Sequence, residues 1–200
     1  MMGSKRKFFH AMKDVLPCKF CRQSTNEFSD EIPMTSNLAF WLYRLHNRVN
    51  KKLHDQHLLD KTIIDPEPNP SFEEVRSKYV SMLKQKNPNI PGRDFLLSVA
   101  YNYDSSLHKN ANVEFWNELP KLFPFYEFRK HMFVPNLLDN KSYFKDVHHM
   151  FRQMGDTEAL EHAWSRVSKY KSKCKHGKTC RTGSSRRRKT HRIISPNLLL

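Results

Sequence analysis

Apolar residues recur every three or four positions along most of the chain, and that period predicts helix after helix. Residues 6–15 put Phe8, Phe9, Met12, Val15 and Leu16 on one face. Pro17 stops that helix and suits the first turn of the next. After a loop with Pro33, Thr35 or Ser36 is expected to cap a helix running to about Leu53. Its stripe is Leu38, Leu42, Leu45, Val49 and Leu53. "DPEPNPS" (65–71) breaks the pattern, and "SFEEVRSKYVSML" follows as a short helix with Ser71 and Glu74 in capping-box spacing. "KQKNPNIPG" (84–92) reads as a linker. Helical patterns resume at 93–103, 112–123, 140–154 and 156–171. The expected fold class is all-α.

The pattern also repeats. "KFFHAMKDVLPCKFCR" (7–22) lies without a gap on "EFWNELPKLFPFYEFR" (114–129). Phe8 falls on Phe115, Phe9 on Trp116, Met12 on Leu119, Val15 on Leu122, Pro17 on Pro124 and Arg22 on Arg129. Cys18 and Cys21 fall on Phe125 and Phe128. Farther on, Trp41 and His46 share the spacing of Phe144 and His149, and Asn50 falls on Gln153. A degenerate duplication that kept the packing and lost the sulfur accounts for this. The alternative is two unrelated amphipathic helices, each followed by proline.

Composition sharpens the picture in three respects. Hydrophobic residues make up 38% of the 200 positions, enough for a core, and only five glycines argue against a turn-rich all-β fold. The net charge of +15 is uneven. Residues 169–192 are crowded with Lys and Arg and hold no acid, so non-specific phosphate contact or nuclear import belongs to this tail rather than to the body. The tail lacks interleaved aromatics, which argues against sequence-specific nucleic-acid recognition. No segment approaches the roughly 20 apolar residues of a membrane helix. Four cysteines, spaced C-x-x-C and C-x₅-C, suggest local chemistry rather than a disulfide scaffold.

Two constellations carry that chemistry. In "LPCKFCRQ" (16–23), Cys18 and Cys21 share a face at a helix start, where the helix dipole and the cations Lys19 and Arg22 favour thiolate. Half of a zinc site and two inert thiols are the alternatives. In "WLYRLHNRVNKKL" (41–53), His46 and Asn50 lie one turn apart with Asn47 and Tyr43 nearby, bordering the apolar stripe. This polar strip suits a ligand-facing edge, or simply a solvated face. His148 and His149 are adjacent and point to different faces, so no metal site is expected there.

Together, "FFHAMKDVLPCKFCR" and "HNRVNKKL" resemble the flavin-linked sulfhydryl oxidases of the Erv/ALR family. "PSFEEVRSKY" resembles the helix that follows in members from large cytoplasmic DNA viruses. The resemblance covers about residues 6–82. It implies a helical bundle holding FAD beside a redox disulfide. Cys21 would be the flavin-side sulfur and Cys18 the one that exchanges with incoming thiols. His46, Asn47, Asn50 and Leu53 would line the adenine and ribose side, with Val49 and Lys52 nearby. The implied reaction oxidises protein dithiols and passes electrons to oxygen, giving peroxide. The implied partners are thiol-bearing substrate proteins, oxygen and a second copy in a homodimer, and the implied setting is the virus factory in host cytoplasm, or the virion.

The family's first helix, with a W-x-x-L-H pattern and then Y-P, has no match before residue 7. "RDFLLSVAYNY" (93–103) resembles it but belongs to the repeat, with Arg93, Leu97 and Asp104 at the tryptophan, histidine and proline positions. Either the start given is internal to a longer protein, or the chain has lost FAD and is a non-catalytic interaction protein, or 93–103 folds back to complete the first half. The expected organisation is a sulfhydryl-oxidase-like redox domain at 1–83, a linker at 84–91, a flavinless copy at 92–171 and a basic tail at 172–200. Cys174 and Cys180 in the tail are candidates for an electron shuttle. They could instead join His176 and His191 around zinc, or be incidental.

Overall fold

The structure, a computed structural model, describes residues 2–84 and 90–168. Among these residues it is all-α: α1 (Met2–Val15), α2 (Lys19–Glu31), α3 (Leu38–Leu59), α4 (Phe72–Leu83), α5 (Arg93–Tyr101), α6 (Lys109–Leu122), α7 (Tyr126–Arg129), α8 (Asn140–Gln153) and α9 (Leu160–Ser168). None of the described helices is long and apolar enough to cross a membrane. The tail, with Cys174 and Cys180, and most of the expected linker lie outside the described residues.

Three local expectations are corrected. α3 is capped by Asn37, whose Oδ1 accepts from the Phe40 amide at 3.0 Å, rather than by Thr35 or Ser36. Thr35 instead donates to the Asn37 carbonyl. α3 also outruns its apolar stripe, ending at Leu59 rather than near Leu53. Its last turns carry His54 and His57, which find partners in the segment that folds back on them. Pro17 stands just outside α2, because Cys18 takes the cap position. The capping box of α4 is as expected: Ser71 Oγ accepts from the Glu74 amide, and Glu74 accepts from the Ser71 amide at 2.7 Å.

Packing follows the repeat. The most extensive helix pairing joins α1 to α6, the two helices that the gapless alignment superimposes. At its centre the Phe8 ring stacks on Phe115, centroids 5.0 Å apart and planes at 26°. Edge-to-face rings flank it on each side: Phe8 with Phe9 at 5.3 Å, and Phe115 with Trp116 at 5.9 Å. The buried cluster is continuous from Phe8 and Trp41 through Phe115 and Trp116 to Phe151 and Val167.

The remaining helices pack differently in the two halves. α1, α2 and α3 pack in sequence, whereas α5 lies on α8 and α9 rather than folding back to complete the first half. The Trp41 indole donates to the Ile32 carbonyl at 2.8 Å, whereas Trp116 donates to Tyr143, whose hydroxyl donates in turn to Asn112 Oδ1 at 2.9 Å. α8 ends at Gln153 and is followed by Gly155, whose φ of 97° is the left-handed stop that glycine tolerates. The turn beyond it supplies Asp156 and Glu158. Arg93 at the start of α5 binds both, and Arg166 of α9 holds Glu158 in a two-point pair at 2.9 and 3.0 Å.

Phe115→Ala should destabilise the protein by about 3–5 kcal/mol, read as a lowered urea midpoint, because it empties the centre of the α1–α6 contact. A separate prediction concerns acid. Arg166 first, and then Arg93, hold the Glu158 carboxyl down at about 2 against the opposing effect of burial. A carboxyl held below its unfolded value contributes stability above that value, about 4.3 for glutamate, and loses it as pH falls towards the folded value. Urea midpoints should therefore drop across that window. Glu158→Gln should cost about 2 kcal/mol near neutral pH and flatten the drop.

Candidate functional site

The dithiol sits at the α1–α2 corner. Only Leu16 and Pro17 separate the end of α1 from Cys18, which adopts the extended cap conformation. Cys18 Sγ accepts from the Cys21 amide at 3.3 Å, so the sulfur itself serves as the cap of α2. The corner is fastened twice. Arg22 Nη1 donates to the Leu16 carbonyl at 2.6 Å, closing the open end of α1, and Asn26 Nδ2 donates to Asp14 at 3.3 Å. Sequence reading gave Arg22 the role of a cation favouring thiolate; its fastening of the helix end to the corner was not foreseen.

The corner at Phe123–Arg129 has the same arrangement without sulfur. Phe125 takes the cap position of α7, as Cys18 does for α2. Arg129 Nε donates to the Phe123 carbonyl at 2.7 Å, the counterpart of the Arg22–Leu16 bond. Phe125 and Phe128, at the two cysteine positions, meet edge to face at 5.8 Å.

Cys18 is 5% exposed and Cys21 is exposed. The cap position turns Cys18 in under the corner, and the third helical position turns Cys21 out. From Cys21 the same stripe of α2 continues inward through Ser24, Thr25 and Phe28, all buried against α3. Here α3 meets α2 through cations. Arg48 lies 4.1 Å over the Phe28 ring and pairs with Glu31 at 2.7 Å. Lys52 reaches past the same ring to donate to Ser24 Oγ, one turn along from Cys21. The second half also approaches the corner. His108, at the cap of α6, is held below its ordinary pKa by burial first and then by the Arg22 charge, against Asp14 and Asp104.

The polar strip lies along the outer side of α3. His46 is exposed, Asn47, Val49, Asn50 and Lys52 are half-buried, and Leu53 is buried at 7%. Leu53 belongs to the inner stripe, and Lys52 faces α2 rather than the outer strip. Asn50 Nδ2 donates to Asn69 Oδ1 at 2.6 Å, and the Tyr43 hydroxyl donates to the Pro70 carbonyl at 2.9 Å. Phe40, Tyr43 and Phe72 form an aromatic group beside it, with Phe40 and Phe72 centroids at 5.1 Å. α3 therefore joins the two constellations: Lys52 touches the helix of the dithiol, and the edge one turn back carries Asn47 and Asn50. Asn69, Pro70 and Phe72 were not foreseen, because contacts across a proline-rich break leave no periodic trace.

Comparison with known proteins adds one finding at the level of families. The model of the Erv1/Alr family matches residues 2–67, a segment holding both constellations. No curated protein and no solved structure matches the chain.

The burial difference predicts an order of labelling. In the reduced native protein, iodoacetamide should alkylate Cys21 at least about ten-fold faster than Cys18, because an accessible thiolate is the reacting species. Peptide mass spectrometry over a time course reads this directly; equal rates would contradict the burial of Cys18.

Proposed function

We propose, from the premise that residues 2–67 belong to the Erv1/Alr family, that this protein is an FAD-dependent thiol oxidase that forms disulfides in substrate proteins. Proteins of that family are in general FAD-linked sulfhydryl oxidases. The observation that carries the reading is the corner itself. Cys18 caps α2 with Cys21 three residues on, and the helix packed beside them bears the imidazole and carboxamides of His46, Asn47 and Asn50.

The donor chemistry suits the adenosine half of FAD. Two carboxamides one turn apart offer both donors and acceptors to a purine edge and ribose hydroxyls, and the Phe40–Tyr43–Phe72 rings offer apolar faces beside them. His46 completes that edge, and Lys52 supplies a cation between it and the dithiol. When bound, FAD supplies the two-electron acceptor that returns the pair to its disulfide and delivers the electrons to oxygen as hydrogen peroxide.

The chain's own part is thiol–disulfide exchange. A substrate thiolate attacks Cys18 of the Cys18–Cys21 disulfide; a sulfur–sulfur bond to substrate forms as the Cys18–Cys21 bond breaks, and Cys21 leaves as thiolate. The second substrate thiol displaces Cys18, which leaves as thiolate in turn. The substrate departs as a disulfide, two electrons poorer, and its two thiol protons are released to water or to the leaving sulfurs. In this reading the exposed side of Cys21 faces the flavin, and substrate reaches Cys18, which is buried under the Leu16–Pro17 corner, only when that corner opens. Thiol-bearing proteins made in a viral factory in host cytoplasm are the proposed substrates, with a homodimer as the working form. The tail thiols Cys174 and Cys180 relay electrons from bulky substrates.

The purified full chain should be yellow, with stoichiometric FAD, and should consume oxygen with dithiothreitol. Cys21→Ser should abolish oxygen consumption, and Cys174→Ser should leave turnover of small thiols nearly intact. Colourless protein that consumes no oxygen would overturn the reading in favour of a flavin-free interaction protein. Equal loss from both variants would overturn the division of roles.

A further inference from the structure

The segment after α3 does not leave it. It turns at Asp60, where Oδ1 accepts from the Thr62 amide at 3.0 Å, anchors on Ile63, which is 2% exposed, and runs back along α3 to the start of α4. Its contacts follow one line of the helix. His57 donates to the Ile63 carbonyl at 2.6 Å, and His54 pairs with Asp65 at 2.8 Å. Asn50 then donates to Asn69, Tyr43 to Pro70, and Phe40 and Tyr43 meet Phe72. Positions 40, 43, 47, 50, 54 and 57 are spaced by three and four, so they form a single face. The five contacts pass over Asn47, and they cover the same edge that carries Asn47 and Asn50.

Two properties distinguish this segment from an ordinary connection. Between its anchors, Asp65–Pro70 is exposed apart from half-buried Pro66, so polar contacts rather than a core hold it down. Pro66, Pro68 and Pro70 alternate through it, which keeps it extended and stiff. At one end the segment is held by buried Ile63 and at the other by Phe72, whose ring meets Phe40 and Tyr43 of α3, so the stiff stretch between them is held to α3 by exposed polar contacts alone.

We propose that residues 64–70 are a strap gating the nucleotide edge of α3: the adenosine part of FAD enters only when the strap lifts and Asn50 exchanges Asn69 for the ligand. Afterwards the strap closes over it through His54–Asp65 and Tyr43–Pro70. The inference rests on the flavin reading, and adds to it a device that sets how fast the cofactor enters and leaves.

The test uses the full chain stripped of flavin, with FAD itself as probe and flavin fluorescence followed by stopped flow. Tyr43→Phe should raise both the association and dissociation rates by about five-fold, the worth of one net hydrogen bond present with and without ligand, while Kd stays nearly constant; Asn69→Ala, whose bond to Asn50 is given up on binding, should raise the association rate by about five-fold and leave the dissociation rate unchanged. Unchanged rates in both variants would overturn the gate. Weaker binding at an unchanged association rate would also overturn it, making Asn69 a plain ligand contact. Wild-type protein that takes up no FAD defeats the flavin reading and the gate with it, whereas normal uptake with insensitive rates defeats the gate alone. Circular dichroism checks the fold; Tyr43→Phe, which removes a single exposed hydroxyl contact, carries the test if Asn69→Ala misfolds.

Discussion

The stack of Phe8 on Phe115 is the contact on which the rest of this structure depends. Both rings are essentially without solvent exposure, and burying each contributes about 1.5–3 kcal/mol before any gain from ring geometry. The stack sets α1 against α6. α1 in turn fixes the corner that holds Cys18, because Leu16 and Pro17 leave no slack between them. The reactive sulfurs are therefore positioned by the packing of two helices that the sequence had already related to each other.

The paired halves have diverged in an instructive way. The corner hydrogen bond from arginine to a helix-end carbonyl survives in both, as does the cap register. What changed is the occupant of two positions, sulfur in one half and phenyl in the other. In the first half the two side chains are thiols, one buried and one open to solvent. In the second, Phe125 and Phe128 pack on each other and on the core. The second half supplies the surface that α1 needs to bury, and brings His108 to within electrostatic reach of Arg22.

The candidate site combines a rigid part with a part held by polar contacts alone. The dithiol corner is fixed by buried aromatics and two side-chain hydrogen bonds. The polar edge of α3 lies on a well-packed helix, yet the segment across it is held by a few exposed hydrogen bonds, each individually weak. Under the proposed function, such a division would keep the geometry of the cysteine pair while a ligand gains access from one side.

Much of this was legible in the chain. Periodicity of three and four gave the helices, because each buries one face. The gapless match of 7–22 on 114–129 foretold two equivalent corners, since identical spacing of apolar residues and proline builds identical turns. The spacing of Cys18 and Cys21, and of His46 and Asn50, placed each pair on one helical face. What the sequence determined by itself was therefore local: element type, register and which residues share a side. Only the tertiary structure decided that Phe8 meets Phe115, that Arg22 closes the end of α1, that Lys52 turns towards α2, and that Asn69 reaches back to Asn50. These are contacts between segments whose relative placement depends on burying one helix face against another, and no period along the chain records them.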